Sequence, residues 1–213
     1  MSNYEYIISS LPFLSADYKY REGEGFKDVV EEIRRDLSPS DSQTVDFLLE
    51  GFSDKLDADF YARAFVHKNA YIREYFRFDL NLRNAKVRYL NGRLGRDSGT
   101  DVIDGKGDLW DEGLDIDLYR FQGGEFEEAA AVDAALSRLD LLDRERELDD
   151  IQWAKADTLS HFHYFDLTAV LCYLTKLHIV DRWLSLDPES GRERFRKLVE
   201  EVRGTFRGVE YKA

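Results

Sequence analysis

Cysteine is almost missing from this chain, with Cys172 alone among 213 residues. One thiol has no partner within the chain, which excludes an intramolecular disulfide and makes a reducing compartment the expected setting. Proline is nearly as sparse, and Pro12, Pro39 and Pro188 each read as a turn or a helix boundary. No apolar run approaches the ~20 residues of a membrane span. Pro12 and several polar residues between Met1 and Asp17 also interrupt the place where a signal peptide needs a continuous apolar stretch. These absences predict a cytoplasmic chain without direct membrane insertion. Motifs are lacking too. There is no Gly-x-x-x-x-Gly-Lys-Ser/Thr, no His-Glu-x-x-His and no Glu-x-x-His, so neither a phosphate cradle nor a zinc-protease or di-iron site is expected.

Positive charge is short overall, the formal net charge being -13, and this disfavours nucleic acid and anionic lipid as partners. What basic charge exists is concentrated. Between Arg63 and Arg96 nine Lys or Arg face only Glu74 and Asp79, a local charge of +7 that leaves -20 for the rest. Such a segment can dock on the other half of its own chain or offer a positive face to an acidic partner.

Apolar spacing predicts an all-α fold. Phe26, Val29, Val30, Ile33 and Leu37 mark a helix over about 25–37, and Ser38-Pro39-Ser40-Asp41 supplies a stop and a new N-cap before a second over about 41–51. Tyr4 to Ile8 suits a short N-terminal strand or a helix equally. Leu56 to Leu90 is helical with at most one break, near Asn69, before Gly92 and Gly95 end it. His161 to Leu186 reads as one long helix of roughly 37 Å, apolar nearly all round apart from Thr168, Thr175 and Arg182. The charged run Asp143 to Asp150 reads as a solvated face. A last amphipathic helix carries Phe195, Leu198, Val199, Val202 and Phe206.

Two stretches echo one another: Phe78-Asp79-Leu80 leading to Val87 and Leu90, and Phe165-Asp166-Leu167 leading to Leu174 and Leu177. The echo predicts two related helical lobes with long buried central helices. An N-terminal lobe is expected over 1–95, a Gly/Asp-rich linker over 96–113 and a C-terminal lobe over 114–213. Asp101, Asp104, Asp108 and Asp111 in the linker lack the alternate spacing of an EF-hand loop and its closing Glu.

Catalytic residue patterns are absent, and no enzyme activity, cofactor or metal is expected. His161, His163 and a nearby carboxylate are the residues a metalloenzyme would use, yet on a helix the two imidazoles project about 200° apart. The site candidates are instead Asp79, Arg83, Lys86 and Arg88. Asp79 can reach Arg83 and Lys86 at i+4 and i+7 on an otherwise apolar arc. This is an ion-pair network at the lobe interface or a polar socket for a partner.

The runs Glu145 to Trp153, His163-Tyr164-Phe165 and Lys176 to Asp187, with Tyr4-Glu5-Tyr6 and Phe78 to Asn84, resemble a bacterial family of uncharacterised proteins encoded beside V/A-type ATPase subunits. That family looks like a shortened form of the ATPase's C-type subunit, the one called d in eukaryotes, and Asp79-Leu80-Asn81 is similar to the acidic-then-Asn pattern of its lobe helices. The resemblance implies a non-catalytic subunit or accessory and assembly protein, with the central stalk and membrane ring as partners and a peripheral position at the inner membrane through that complex. The full-length relative has three lobes and this chain has room for about two, which makes an assembly or peripheral role credible. A generic helical adaptor or regulator binding an acidic partner is the alternative.

Overall fold

Short polar side chains that bond backbone N–H groups set the helix starts. A computed structural model describes residues 3–14, 19–22, 24–53, 55–103 and 126–186, and within them the ordered elements are helices. Asn3 caps α1 (Tyr4–Ser10), which decides the N-terminal segment in favour of helix. The Asp28 carboxylate accepts from the Gly25 N–H at 2.7 Å to open α2 (Phe26–Arg35). Ser38 caps α3 (Pro39–Glu50), with Pro39 in the first turn where its missing N–H matters least. Asp57 caps α4 (Ala58–Phe65), and Asn69 caps α5 (Ala70–Leu94) at the expected break. Gly92 is carried inside α5, which stops at Gly95, in the left-handed conformation with φ of 66°.

Beyond the linker lie α6 (Ala129–Leu136), α7 (Leu141–Ser160, capped by Asp140) and α8 (Leu167–Leu184, capped by Asp166). The single helix expected from His161 to Leu186 therefore begins six residues later. Asp166 accepts from the Ala169 N–H, and this cap starts the helix after a turn at 161–166. The aromatics that filled the helical wheel there face water, with Phe162 83% exposed and Tyr164 and Phe165 also outside. Asp143 to Asp150 is not a wholly solvated face either, because Leu148 and Asp149 are buried within α7.

The layers follow from these lengths. α7 packs on α5, α6 and α8, while α1, α2 and α3 close over α8 and α4 lies along α5. Buried side chains from Ile7 to Leu177 form one continuous cluster drawn from both sides of the linker. The two echoed triplets take different places in it. Asp79 sits inside α5 beside buried Phe78, whereas Asp166 is an N-cap beside exposed Phe165. Leu174 and Leu177 are fully buried, but Leu90 is 53% exposed and Val87 half-buried.

The start of the linker is tied down. Asn84 and Asn91, one heptad apart on α5, are both buried. Asn84 donates to the Ile103 carbonyl at 2.8 Å and accepts from the Ile103 N–H at 3.1 Å, and Asn91 donates to the Thr100 carbonyl at 2.7 Å. The first part of the expected linker is thus strapped to α5 as far as Ile103. The linker beyond Ile103, including three of its five aspartates, and the amphipathic segment around Phe195 lie outside the described residues.

At the turn after α3, Gly51 lets the backbone approach an aromatic cluster. Phe47, Phe60 and Phe76 pack with centroids 4.9 to 6.2 Å apart, and a Cβ on Gly51 would stand 2.0 Å from Phe76 Cζ. Phe76 is fully buried and cannot swing away. Gly51→Ala is expected to lose about 2 kcal/mol through overpacking. For a chain of this size the melting midpoint should fall by roughly 4–8 °C in thermal denaturation followed by circular dichroism.

Candidate functional site

Where α5, α7 and α8 converge beside the turn after α3, they leave a polar cleft of about 310 Å³, whose charged and polar lining includes Asp79, Arg83, Lys86, Gln152, His178 and Arg182. Three of the four candidate residues therefore meet there. Arg88 does not: nine residues beyond Asp79, it falls about 180° around α5, away from the cleft lining.

Asp79 is held differently from the sequence expectation. Its short bond comes from Tyr61 on α4, whose hydroxyl donates to Oδ2 at 2.6 Å. Arg83 and Lys86 act on it through their charges. Part of Asp79 opens on the cleft, yet burial is the largest influence and pushes its carboxyl above the usual range. The Tyr61 bond and the charges of Arg83 and Lys86 pull the other way. Burial first and Asp79 second push the Tyr61 hydroxyl far up, which keeps it a donor at any physiological pH. Arg83 also reaches the Ser53 carbonyl at 3.5 Å.

The second carboxylate is Asp149, only 4% exposed, from the run expected to face water. Arg182 and Trp183 of α8 both donate to its Oδ2, Trp183 Nε1 at 2.7 Å, and Gln152 donates to Oδ1 at 3.1 Å. Burial raises its carboxyl, against the opposing pull of Arg182, Trp183 and, more weakly, Lys86. Glu145 stands 3.8 Å from Arg182 on the outer side. Lys86 thus sits electrostatically between two carboxyls, one on its own helix and one on α7. Sequence reasoning missed Tyr61, Asp149, Gln152 and Trp183. The contacts span 18 to 34 positions except for Gln152, which sits three residues from Asp149 on α7; only that one leaves a local spacing to read.

Thr175 of the expected polar strip is also drawn inward. It accepts from the Tyr71 hydroxyl at 2.9 Å and donates to the Leu171 carbonyl. The strip from Thr175 to Arg182 is therefore a contact edge toward α5 and α7. His163 and His161 lie in the turn before α8. His163 Nδ1 is 2.5 Å from Asp166, and the His161 ring stands edge-on to Phe162. Among the described residues no three His, Cys, Asp or Glu side chains group as a metal site. Cys172 is buried, and burial raises its thiol. No helix among the described residues is long and apolar enough to cross a membrane.

The basic segment divides along its length. Arg63 pairs with Glu50, Arg73 donates to the His67 and Lys68 carbonyls, and Arg77 pairs with Glu74. Lys86, Arg88, Arg93 and Arg96 have no described carboxylate at ion-pair distance, Arg93 instead lying over the Tyr89 ring. Intramolecular pairing absorbs the first half, whereas these four cations of the second half meet no carboxylate at ion-pair distance among the described residues.

Fold and cleft together define an all-α protein with a charged interhelical cleft framed by one long basic helix. Residues 50–205 match the family described as a protein of unknown function, DUF2764, and the chain belongs to it. The matched span contains every cleft residue named above. No curated protein and no solved structure matches the chain.

Two outcomes test the cleft. Because the Asp79 carboxyl is raised by folding, the folded chain holds its proton more tightly than the unfolded chain. The stability this adds is complete below the unfolded value of about 3.9 and is lost as pH rises through the raised one. Asp79→Asn keeps an acceptor for Tyr61 and removes that loss. Its stability relative to the native chain should therefore increase from about pH 4 to about pH 8 in urea midpoints; a constant difference would show that Asp79 titrates as an ordinary carboxyl. Asp149→Ala strips Trp183 and Arg182 of their acceptor and should destabilise by about 2–3 kcal/mol, with loss of near-ultraviolet tryptophan dichroism.

Proposed function

We propose that this protein is a non-catalytic component of a V/A-type rotary ATPase, similar to its C-type subunit, or an assembly factor of that complex, which links or helps join the central stalk to the membrane ring. The identity of the complex is supported by the sequence resemblance over Glu145 to Trp153 and Lys176 to Asp187. The manner of working is supported by one structural observation. The cleft charges tie helices to one another, with Asp149 bound to Arg182 and Trp183 and Asp79 to Tyr61, and the basic end of α5 is left facing outward.

A protein built this way acts by contact. Rigid helices carry force or hold a register, and a broad polar surface with complementary charge selects the neighbour. Asp79, Arg83 and Lys86 form the inner part of the proposed interface; Arg88, on the opposite face of α5, lies outside it. Association with the inner membrane would be through the complex.

Affinity purification of the tagged chain from detergent-solubilised membranes of its source cells tests this. ATPase catalytic, shaft and ring subunits should co-purify in stable proportion, identified by mass spectrometry. Their clean absence would sink the ATPase reading and leave a helical adaptor with another acidic partner.

A further inference from the structure

The outward half of α5 carries more than loose charge. At 100° per residue Arg83, Lys86, Leu90, Arg93 and Leu94 fall within one quarter to one third of its circumference and continue the cleft face along the helix for roughly 16 Å. Leu90 is 53% and Leu94 64% exposed, and two such leucines on one face are an apolar surface left uncovered by the described residues rather than a scattered pair. Around them Lys86 and Arg93 have no described carboxylate at ion-pair distance, in a chain whose net charge is -13. Acidic groups are abundant elsewhere. That these cations find none among the described residues is the observation that calls for a partner.

We infer that this stripe docks an acidic amphipathic helix of a partner protein, whose leucine-type side chains cover Leu90 and Leu94 and whose carboxylates meet Lys86 and Arg93. The inference rests on reading the α5 face as a contact surface and adds the chemistry of what binds. A helix fits because basic and apolar groups alternate here at three- and four-residue steps, the spacing at which a second helix presents its own side chains. A purely acidic strand would leave the leucines wet, and a purely apolar helix would leave the cations unpaired against a desolvated surface.

The test uses the purified full chain and a synthetic amphipathic peptide of about 18 residues with leucines on one face and glutamates beside them. A second peptide with glutamine for each glutamate serves as its match. Calorimetric titration should show the glutamate peptide binding at least about tenfold more tightly than the glutamine peptide, and weakening as salt is raised. Lys86→Glu and Arg93→Glu, both on solvent-reaching positions, should each weaken it by about tenfold or more. Arg88→Glu makes the same change of net charge on the opposite face and should alter it less than about twofold.

Equal binding of the two peptides overturns the proposal, and so does an Arg88→Glu chain that loses as much as Lys86→Glu. Residues 108–118 of this chain carry Asp108, Asp111, Glu112, Asp115 and Asp117 among leucines. Binding seen only after 104–125 is replaced by a Gly/Ser segment would assign the stripe to the chain's own sequence and sink an external partner. The two readings fail separately. ATPase subunits that still co-purify with Lys86→Glu would refute the stripe alone, whereas a stripe that binds peptide in a protein recovering no ATPase subunit would refute the ATPase reading alone.

Discussion

The register of α7 on α8 depends on one buried carboxylate. Asp149 projects from the middle of α7 into the seam with α8, where Arg182 and Trp183 both end on the same oxygen. A charge so far from water is tolerated only with partners, and its partners occupy fixed positions on another helix. Sliding α8 by one turn, about 5.4 Å, would take both the Arg182 and the Trp183 donors away from the buried Asp149 carboxylate. Burial raises the Asp149 carboxyl despite that company, so desolvation outweighs attraction at this site. The pair selects one packing of α7 on α8 more than it adds net stability.

Asp79 plays the corresponding part toward α4. Tyr61 is fully buried and its hydroxyl ends on Asp79, so the short helix carrying it is fastened to α5 at one polar point inside an aromatic cluster. Lys86 stands between the two systems without closing on either. The cleft is consequently close to neutral at its floor and basic at its rim, and the rim runs into the exposed leucines of α5. Charge segregation of this sort suits selection of a neighbour by its surface potential. Membership of a family described only as of unknown function leaves that physical reading as the guide to what the protein does.

Much of the fold was legible in the order of residues. Ser38-Pro39, Asn69 and Gly95 each act within a turn of their own position, and the boundaries expected at them are where the helices of the first half begin and end. The helical periodicity of Phe26 to Leu37 and of Leu56 to Leu90 was likewise readable, because an apolar stripe must repeat with the helix that buries it. The errors came where apolarity and burial part company. Phe162, Tyr164 and Phe165 read as core and face water, and the cap that separates them from α8, Asp166, was read as the opening of a repeated motif.

Of the site, residue order was enough to put Asp79, Arg83 and Lys86 on one face of a helix, since spacing along α5 sets direction around it. It was enough, too, for the imbalance between a basic segment and an acidic remainder. Packing between helices made the other choices: that Tyr61 would take Asp79, that Asp149 would be buried rather than solvated, and that Lys86 and Arg93 would find no described carboxylate while Arg63 and Arg77 did. A cap or a helical period is satisfied by backbone within four residues. A buried charge is satisfied by whatever side chain the folded packing brings across 18 or 34 positions, and no local spacing encodes that choice.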